Sequence, residues 1–154
     1  MRVKDILVPM DFSTNAVRAL EFAVSMADPS GEIYMLHVVD ADFAAHVAEA
    51  GFSGHDEAVE RLRHAAEERL GEITRQHADA GVSIQTMIVV GKPFAEILRV
   101  AADLDFEMII LGMYGNRRND IEELLFGSTA EKVLRGAQVP VVCVPGAWKA
   151  EDTR

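Results

Sequence analysis

Four times along this chain a short apolar run is followed by a segment with helical apolar spacing, and a fifth run closes the series. The runs are Ile6-Leu7-Val8, Ile33-Tyr34-Met35-Leu36-His37-Val38-Val39, Met87-Ile88-Val89-Val90, Met108-Ile109-Ile110-Leu111 and Val141-Val142-Cys143-Val144. Strands that are apolar throughout, rather than alternating with polar residues, must be covered on both faces, and strand–helix alternation supplies that cover. The pattern therefore defines an α/β protein with a parallel sheet and helices on both sides.

The spacing predicts the rest of the order. A first helix carries Ala16, Val17, Leu20, Ala23, Val24 and Ala27 at helical intervals and ends at Asp28-Pro29-Ser30-Gly31. Residues Asp40 to Asp56 lack clear periodicity, contain Gly51 and Gly54, and read as a long loop. A long helix follows, with Val59, Leu62, Ala66, Leu70 and Ile73 on its buried face and Arg61, Arg63, Glu67, Glu68, Arg69 and Glu72 expected in water. Gly81 ends it, and Val82 to Val90 form the third strand. Pro93 opens the next helix, where its missing N–H costs nothing, and Ile97, Leu98, Ala101 and Ala102 form that helix's stripe. Glu107 to Leu111 is the fourth strand. A loop from Gly112 to Phe126 precedes a helix carrying Ala130, Val133, Leu134 and Ala137.

Length and composition bound the function. A chain of 154 residues, 49% hydrophobic, is sized for one core, here residues 1–146, with 147–154 expected to be a flexible tail. Fifteen basic against 25 acidic residues give a net charge of −10, which opposes binding to nucleic acid or an anionic membrane. The apolar runs are too short to span a bilayer, which takes about 20 residues. One cysteine precludes an internal disulfide, and Met1-Arg2-Val3-Lys4-Asp5 leads straight into a strand rather than a signal peptide, so a cytoplasmic address is expected.

Common chemistries are disfavoured one by one, and Walker-type hydrolysis is excluded. No glycine occurs in Pro9-Met10-Asp11-Phe12-Ser13-Thr14, so the dinucleotide fingerprint is missing after the first strand; Gly91-Lys92-Pro93 does not complete a P-loop. The five histidines form no His-Glu-x-x-His, and no thiolate-rich metal site exists. A phospho-accepting receiver would need an acid where Val90-Gly91-Lys92 stands. A flavodoxin would need a hydroxyl- and glycine-rich loop where Asp11 and Phe12 stand.

In a parallel sheet, ligands bind beyond the carboxyl ends of the strands, here Pro9 to Ser13, Val38 to Asp40, Gly91 and Gly112 to Thr129. The informative stretch is Gly112-Met113-Tyr114-Gly115, eleven residues, then Gly127-Ser128-Thr129 opening a helix. Glycines admit close backbone approach, and Gly-Ser at a helix start offers N–H groups and a hydroxyl to phosphate. The same segment reads equally as a capping box, Ser128 with Glu131, which needs no ligand. His37 reads as a satisfied core histidine, and Cys143 as a small buried hydrophobe.

From Val3 to Pro145 the chain resembles the universal stress proteins. The carriers are Ile6-Leu7-Val8-Pro9-Met10-Asp11-Phe12-Ser13, Leu36-His37-Val38-Val39, Gly91-Lys92-Pro93, the segment from Gly112 to Ser128, and Val139-Pro140-Val141-Val142. The resemblance implies a flavodoxin-like sheet, akin to the adenine nucleotide alpha hydrolases, in strand order 3-2-1-4-5. It also implies a homodimer in which the final strands, Val141, Val142, Cys143 and Val144, pair with each other. For the ATP-binding branch it implies that Pro9, Met10 and Asp11 line the adenosine end, with the Asp11 carboxylate accepting from ribose or adenine. Val38 would meet the adenine edge through its backbone. Leu111, Gly112, Met113 and Gly115 would wrap ribose and phosphates, and Gly127, Ser128 and Thr129 would hold the phosphate tail.

The family pattern has nine residues between its second and third glycines, and here residues 116 to 126 make eleven. Arg117 and Arg118 lie in that loop as candidate phosphate contacts. The expected ligand is ATP or AMP, with Mg²⁺ held through the phosphates, in a signalling module that acts on a protein partner. The competing readings are a nucleotide-free interaction dimer and a slow ATP hydrolase, for which no positioned general base is evident; Asp120, Glu122 and Glu123 are the nearest acids.

Overall fold

The computed structural model describes residues 2–51, 54–114 and 127–151. Five strands form one parallel sheet: β1 (Val3–Pro9), β2 (Ala27–Asp40), β3 (Ser83–Gly91), β4 (Met108–Gly112) and β5 (Val141–Val144), in the order β3-β2-β1-β4-β5. The helices are α1 (Thr14–Met26), α2 (Ala41–Gly51), α3 (His55–Gln76), α4 (Pro93–Asp103) and α5 (Ser128–Gly136). The expected α/β class, strand count and strand order are all present.

Two apolar layers hold the sheet between helices. On one side Ile6, Val8, Ile33, Met35 and Ile110 pack with Ala16, Ala19, Leu20 and Ala23 of α1 and Leu70 of α3. On the other, Leu7, Leu36, Ile109 and Leu111 pack with Ile97, Val100 and Ala101 of α4 and Ala130 and Val133 of α5. Ile6, Leu7 and Val8, neighbours along β1, thus feed opposite layers in turn, as the period of two requires.

Two local expectations are corrected. The first helix does not run on to Ala27: that residue already pairs with Val3 in the sheet. Asp28 accepts hydrogen bonds from the Ser30 N–H (2.9 Å) and Ser30 Oγ (2.7 Å), satisfying the turn locally while the β1–β2 register shifts beside it. These bonds hold the Asp28 carboxyl below its usual range.

The stretch read as a loop from Asp40 to Asp56 contains α2 over Ala41–Gly51. Asp40 Oδ1 accepts from the N–H groups of Asp42 (2.9 Å) and Phe43 (3.3 Å), which nucleates that helix. Its five alanines supply helix propensity, and Phe43 and Val47 alone are too few large apolar residues to make a period visible in sequence. The chain after Gly146 is packed at least through Trp148, which meets Phe22 of α1 edge-on at 5.2 Å between ring centroids. Residues 152–154 of the expected tail lie outside the described residues. Among the described residues no helix is long and apolar enough to cross a membrane.

Candidate functional site

β1 and β4 lie next to each other in the sheet, and their following segments leave toward opposite faces, so a crevice opens between their carboxyl ends. On the β1 side, the Met10 N–H donates to the Leu36 carbonyl (2.7 Å), holding the strand end against β2. The chain then reverses at Phe12, whose φ of +65° is unusual for a residue with a bulky side chain. Asp11 Oδ1 accepts from the Ser13 N–H (2.9 Å), and Ser13 Oγ caps α1 by accepting from the Ala16 N–H (3.1 Å). Asp11 itself is exposed at the strand tip.

On the β4 side, Leu111 is buried and Gly112 must be glycine. A Cβ there would lie 2.8 Å from the backbone carbon and Cβ of Asn15 and 2.9 Å from its carbonyl oxygen. The close approach brings β4 against the first turn of α1. Beyond it, the Met113 N–H donates to the Val144 carbonyl (3.1 Å), while the Met113 carbonyl accepts from the Gly127 N–H (2.7 Å). That second bond closes the long loop at its base and sets the start of α5 beside the end of β4.

Gly127 is the N-cap of α5, and no side chain caps it. The capping-box reading is corrected here: Ser128 is the first helical residue, not the cap, and the Glu131 N–H instead bonds the Gly127 carbonyl at 3.0 Å. At the opening turn of α5, whose first N–H groups have no partner within the helix, Ser128 is exposed and Thr129 half-buried. Gly115, Arg117, Arg118, Asp120, Glu122 and Glu123 lie outside the described residues.

A cleft of about 240 Å³ opens beside this crevice, at the ends of β1 and β2 beneath α2 and α3, with Asp11, Phe12, His37, Val38, Asp40 and Arg69 in its lining. His37 is the satisfied histidine that its place in a buried strand predicts: Nδ1 lies 2.8 Å from the Met10 carbonyl. A carbonyl only accepts, so Nδ1 carries the hydrogen. Burial lowers the His37 pKa; the Met10 hydrogen bond and Asp11 oppose that shift, and Arg69 adds to it. The imidazole also packs on Phe12, centroids 4.7 Å apart.

Sequence reasoning missed part of this wall. Arg69, expected only in water, places its guanidinium carbon 4.1 Å from the centre of the Phe12 ring. Phe43 stands at the rim, 51% exposed. Nothing in a run of alternating charges marks Arg69 out, and α2 was invisible as a helix, so neither had a usable signal. Cys143 on β5 is half-buried, and burial raises its thiol pKa. Among the described residues no group of His, Cys, Asp and Glu is placed to hold a metal ion.

The model of the Universal stress protein family matches residues 2–145, and the chain belongs to that family. It is 30% identical to Universal stress protein MJ0577 of Methanocaldococcus jannaschii, over 92% of this chain and 94% of that protein. The solved structure of MJ0577 superposes with a TM-score of 0.80, covering 98% of this chain and all of that one.

Two more distant structures share the fold. A universal stress protein from Archaeoglobus fulgidus solved in complex with dAMP has a TM-score of 0.59 at 21% identity, covering 94% of this chain and 99% of that one. Another, solved in complex with cAMP, has a TM-score of 0.60 at 16% identity, covering 96% of this chain and all of that one.

Proposed function

We propose that this chain is a stress-response module that binds ATP or AMP at the carboxyl ends of β1 and β4 and signals as a cytoplasmic homodimer to a protein partner. The observation that carries the reading is the 2.7 Å bond from the Gly127 N–H to the Met113 carbonyl, which sets an uncapped helix start against the one crevice the strand order creates. Family members bound to dAMP and cAMP support an adenine nucleotide as the ligand class.

Pro9, Met10 and Asp11 form the adenosine wall, and Val38 offers its backbone to the base from the adjoining cleft. Gly112 and Met113, with Gly115, wrap ribose and the first phosphate. Gly127, Ser128 and Thr129 take the outer phosphates at the start of α5, where the helix dipole and free N–H groups favour negative charge. Arg117 and Arg118 add charge to the phosphate end, and Mg²⁺ is held through the phosphates. β5 is the dimer edge: among the described residues only β4 pairs with it, and Val141, Val142 and Cys143 are half-buried within one chain.

The test is to denature freshly purified protein, identify any released small molecule by mass spectrometry, and titrate ATP and AMP into the emptied parent and the Asp11→Ala variant. A released adenine nucleotide, with affinity weakened by roughly 1.5–3 kcal/mol in the variant, fits a hydrogen bond to a charged group. An empty protein whose melting ignores both nucleotides, or an affinity indifferent to Asp11, refutes the site.

A further inference from the structure

We propose that the trough between α3 and the outer edge of β3 is a docking groove for an extended segment of a partner protein. That segment adds to β3 as a sixth strand and carries apolar residues alternating with a basic one. β3 pairs with β2 along all nine of its residues, and among the described residues no strand lies on its other side. Sheets ordinarily guard such an edge with charges or proline. Ser83–Gly91, read SIQTMIVVG, contains neither.

The edge runs beside a cleft of about 330 Å³ whose walls are Glu67, Leu70, Gly71 and Thr74 of α3 and Ile84 and Ile88 of β3. A strand edge flanked by a helix provides both halves of strand-addition binding. Main-chain groups hold the incoming segment, and every second side chain drops into the space between strand and helix.

Gly71 is the independent sign that this space is kept open. It sits within a 22-residue helix, where glycine weakens the helix relative to alanine. Its own surroundings do not require it: a Cβ at 71 would meet only the flexible end of Arg75, Nη1, at an ordinary 3.4 Å. At Gly112 the backbone of Asn15 forbids a side chain; at Gly71 nothing among the described residues does. The missing side chain serves the cleft.

Charge chooses the occupant. Glu67 is exposed on the wall and makes no ion pair among the described residues. A second copy of β3 brings no basic residue to meet it, and each copy carries a net charge of −10. A separate segment with Lys or Arg opposite Glu67 and small branched apolar residues facing Leu70 and Ile84 satisfies both demands.

The test uses the full chain and a fluorescein-labelled heptapeptide amide, Lys-Val-Thr-Val-Lys-Val-Thr, read by anisotropy and amide hydrogen exchange. Expected are saturable binding with slowed exchange in 83–91, and affinity lowered by about tenfold or more by Gly71→Leu, by Glu67→Lys, or by Glu in place of both peptide lysines. Gly71→Ala must keep or raise the melting temperature, which separates a filled groove from a damaged helix. The proposal falls if the peptide does not bind at about 1 mM, or if binding ignores Gly71→Leu and Glu67→Lys. It falls equally if protection appears away from β3, or if Gly71→Leu changes the sedimenting mass of the protein alone, which would make this face an interface between copies.

Discussion

Asn15 is gripped between two glycines, and the geometry predicts opposite behaviour for them in a double-mutant cycle. A methyl at Gly112 meets the Asn15 backbone carbon, carbonyl oxygen and Cβ at 2.8–2.9 Å, whereas a methyl at Gly146 meets only Asn15 Oδ1, at 2.5 Å, the next nearest atom being Cγ at 3.7 Å. The three atoms facing Gly112 survive in alanine; the Oδ1 facing Gly146 does not. Gly112→Ala must therefore push β4 and the first turn of α1 apart by several tenths of an ångström, at roughly 1–3 kcal/mol for overpacking. For a chain of this size that lowers the melting temperature by roughly 2–12 °C.

Adding Asn15→Ala leaves the Gly112 clash in place, so that pair should be additive to within about 0.5 kcal/mol. The same substitution removes the Gly146 clash, so Gly146→Ala with Asn15→Ala should show a favourable coupling of roughly 0.5–3 kcal/mol. Urea unfolding of the parent, three single variants and two doubles measures both couplings. If Asn15→Ala rescues Gly112→Ala as well, the strain lies in the side chain, and the backbone approach said to seat β4 beside the β1 turn is wrong.

Two further predictions concern the walls of the adjoining cleft. His37 has a lowered pKa in the folded chain, so the unfolded chain binds more protons and stability rises with pH. Acidification below about pH 6.5 should cost stability at no more than about 1.4 kcal/mol per pH unit from this group, read as the difference in urea midpoint between pH 7.5 and 5.5. His37→Gln should flatten that part of the profile, and an unchanged slope would show that His37 is not the source. Asp40→Ala removes the cap on α2 and should cost about 1 kcal/mol, with amide exchange quickening within 41–51; loss of exchange protection in α3 instead would place the capping role elsewhere.

The fold was legible because its information is carried by hydrophobic period, which the strand centres of both layers follow. Ile6 and Val8 face one layer and Leu7 the other, and such continuous apolar runs permit only a sheet covered twice. The strand order came from family resemblance, since five apolar runs are compatible with several orders. What stayed hidden depends on single hydrogen bonds and on contacts distant in sequence. Asp40 capping α2, Asp28 turning back on Ser30 and Arg69 lying over Phe12 leave no periodic trace. At the crevice, sequence named the glycines but left Gly127-Ser128 divided between a cradle and a cap. One residue of displacement removes the cap that the sequence suggested: with Gly127 at the N-cap, the Ser128–Glu131 box does not form.

The longer loop then ceases to be an obstacle to the proposed phosphate site. Lengthening a closed loop from nine to eleven residues raises its closure cost by only about 0.2 kcal/mol. The start of α5 is set not by that length but by the Gly127–Met113 bond, and Met113 is itself held to Val144 at the end of β5. Both bonds run through backbone groups outside residues 116–126, so insertions between them need not move the N–H groups that face the crevice. The same two bonds put the proposed dimer edge and the proposed phosphate cradle on either side of one residue. In the proposed arrangement Met113 joins the phosphate cradle to the dimer edge through these two bonds.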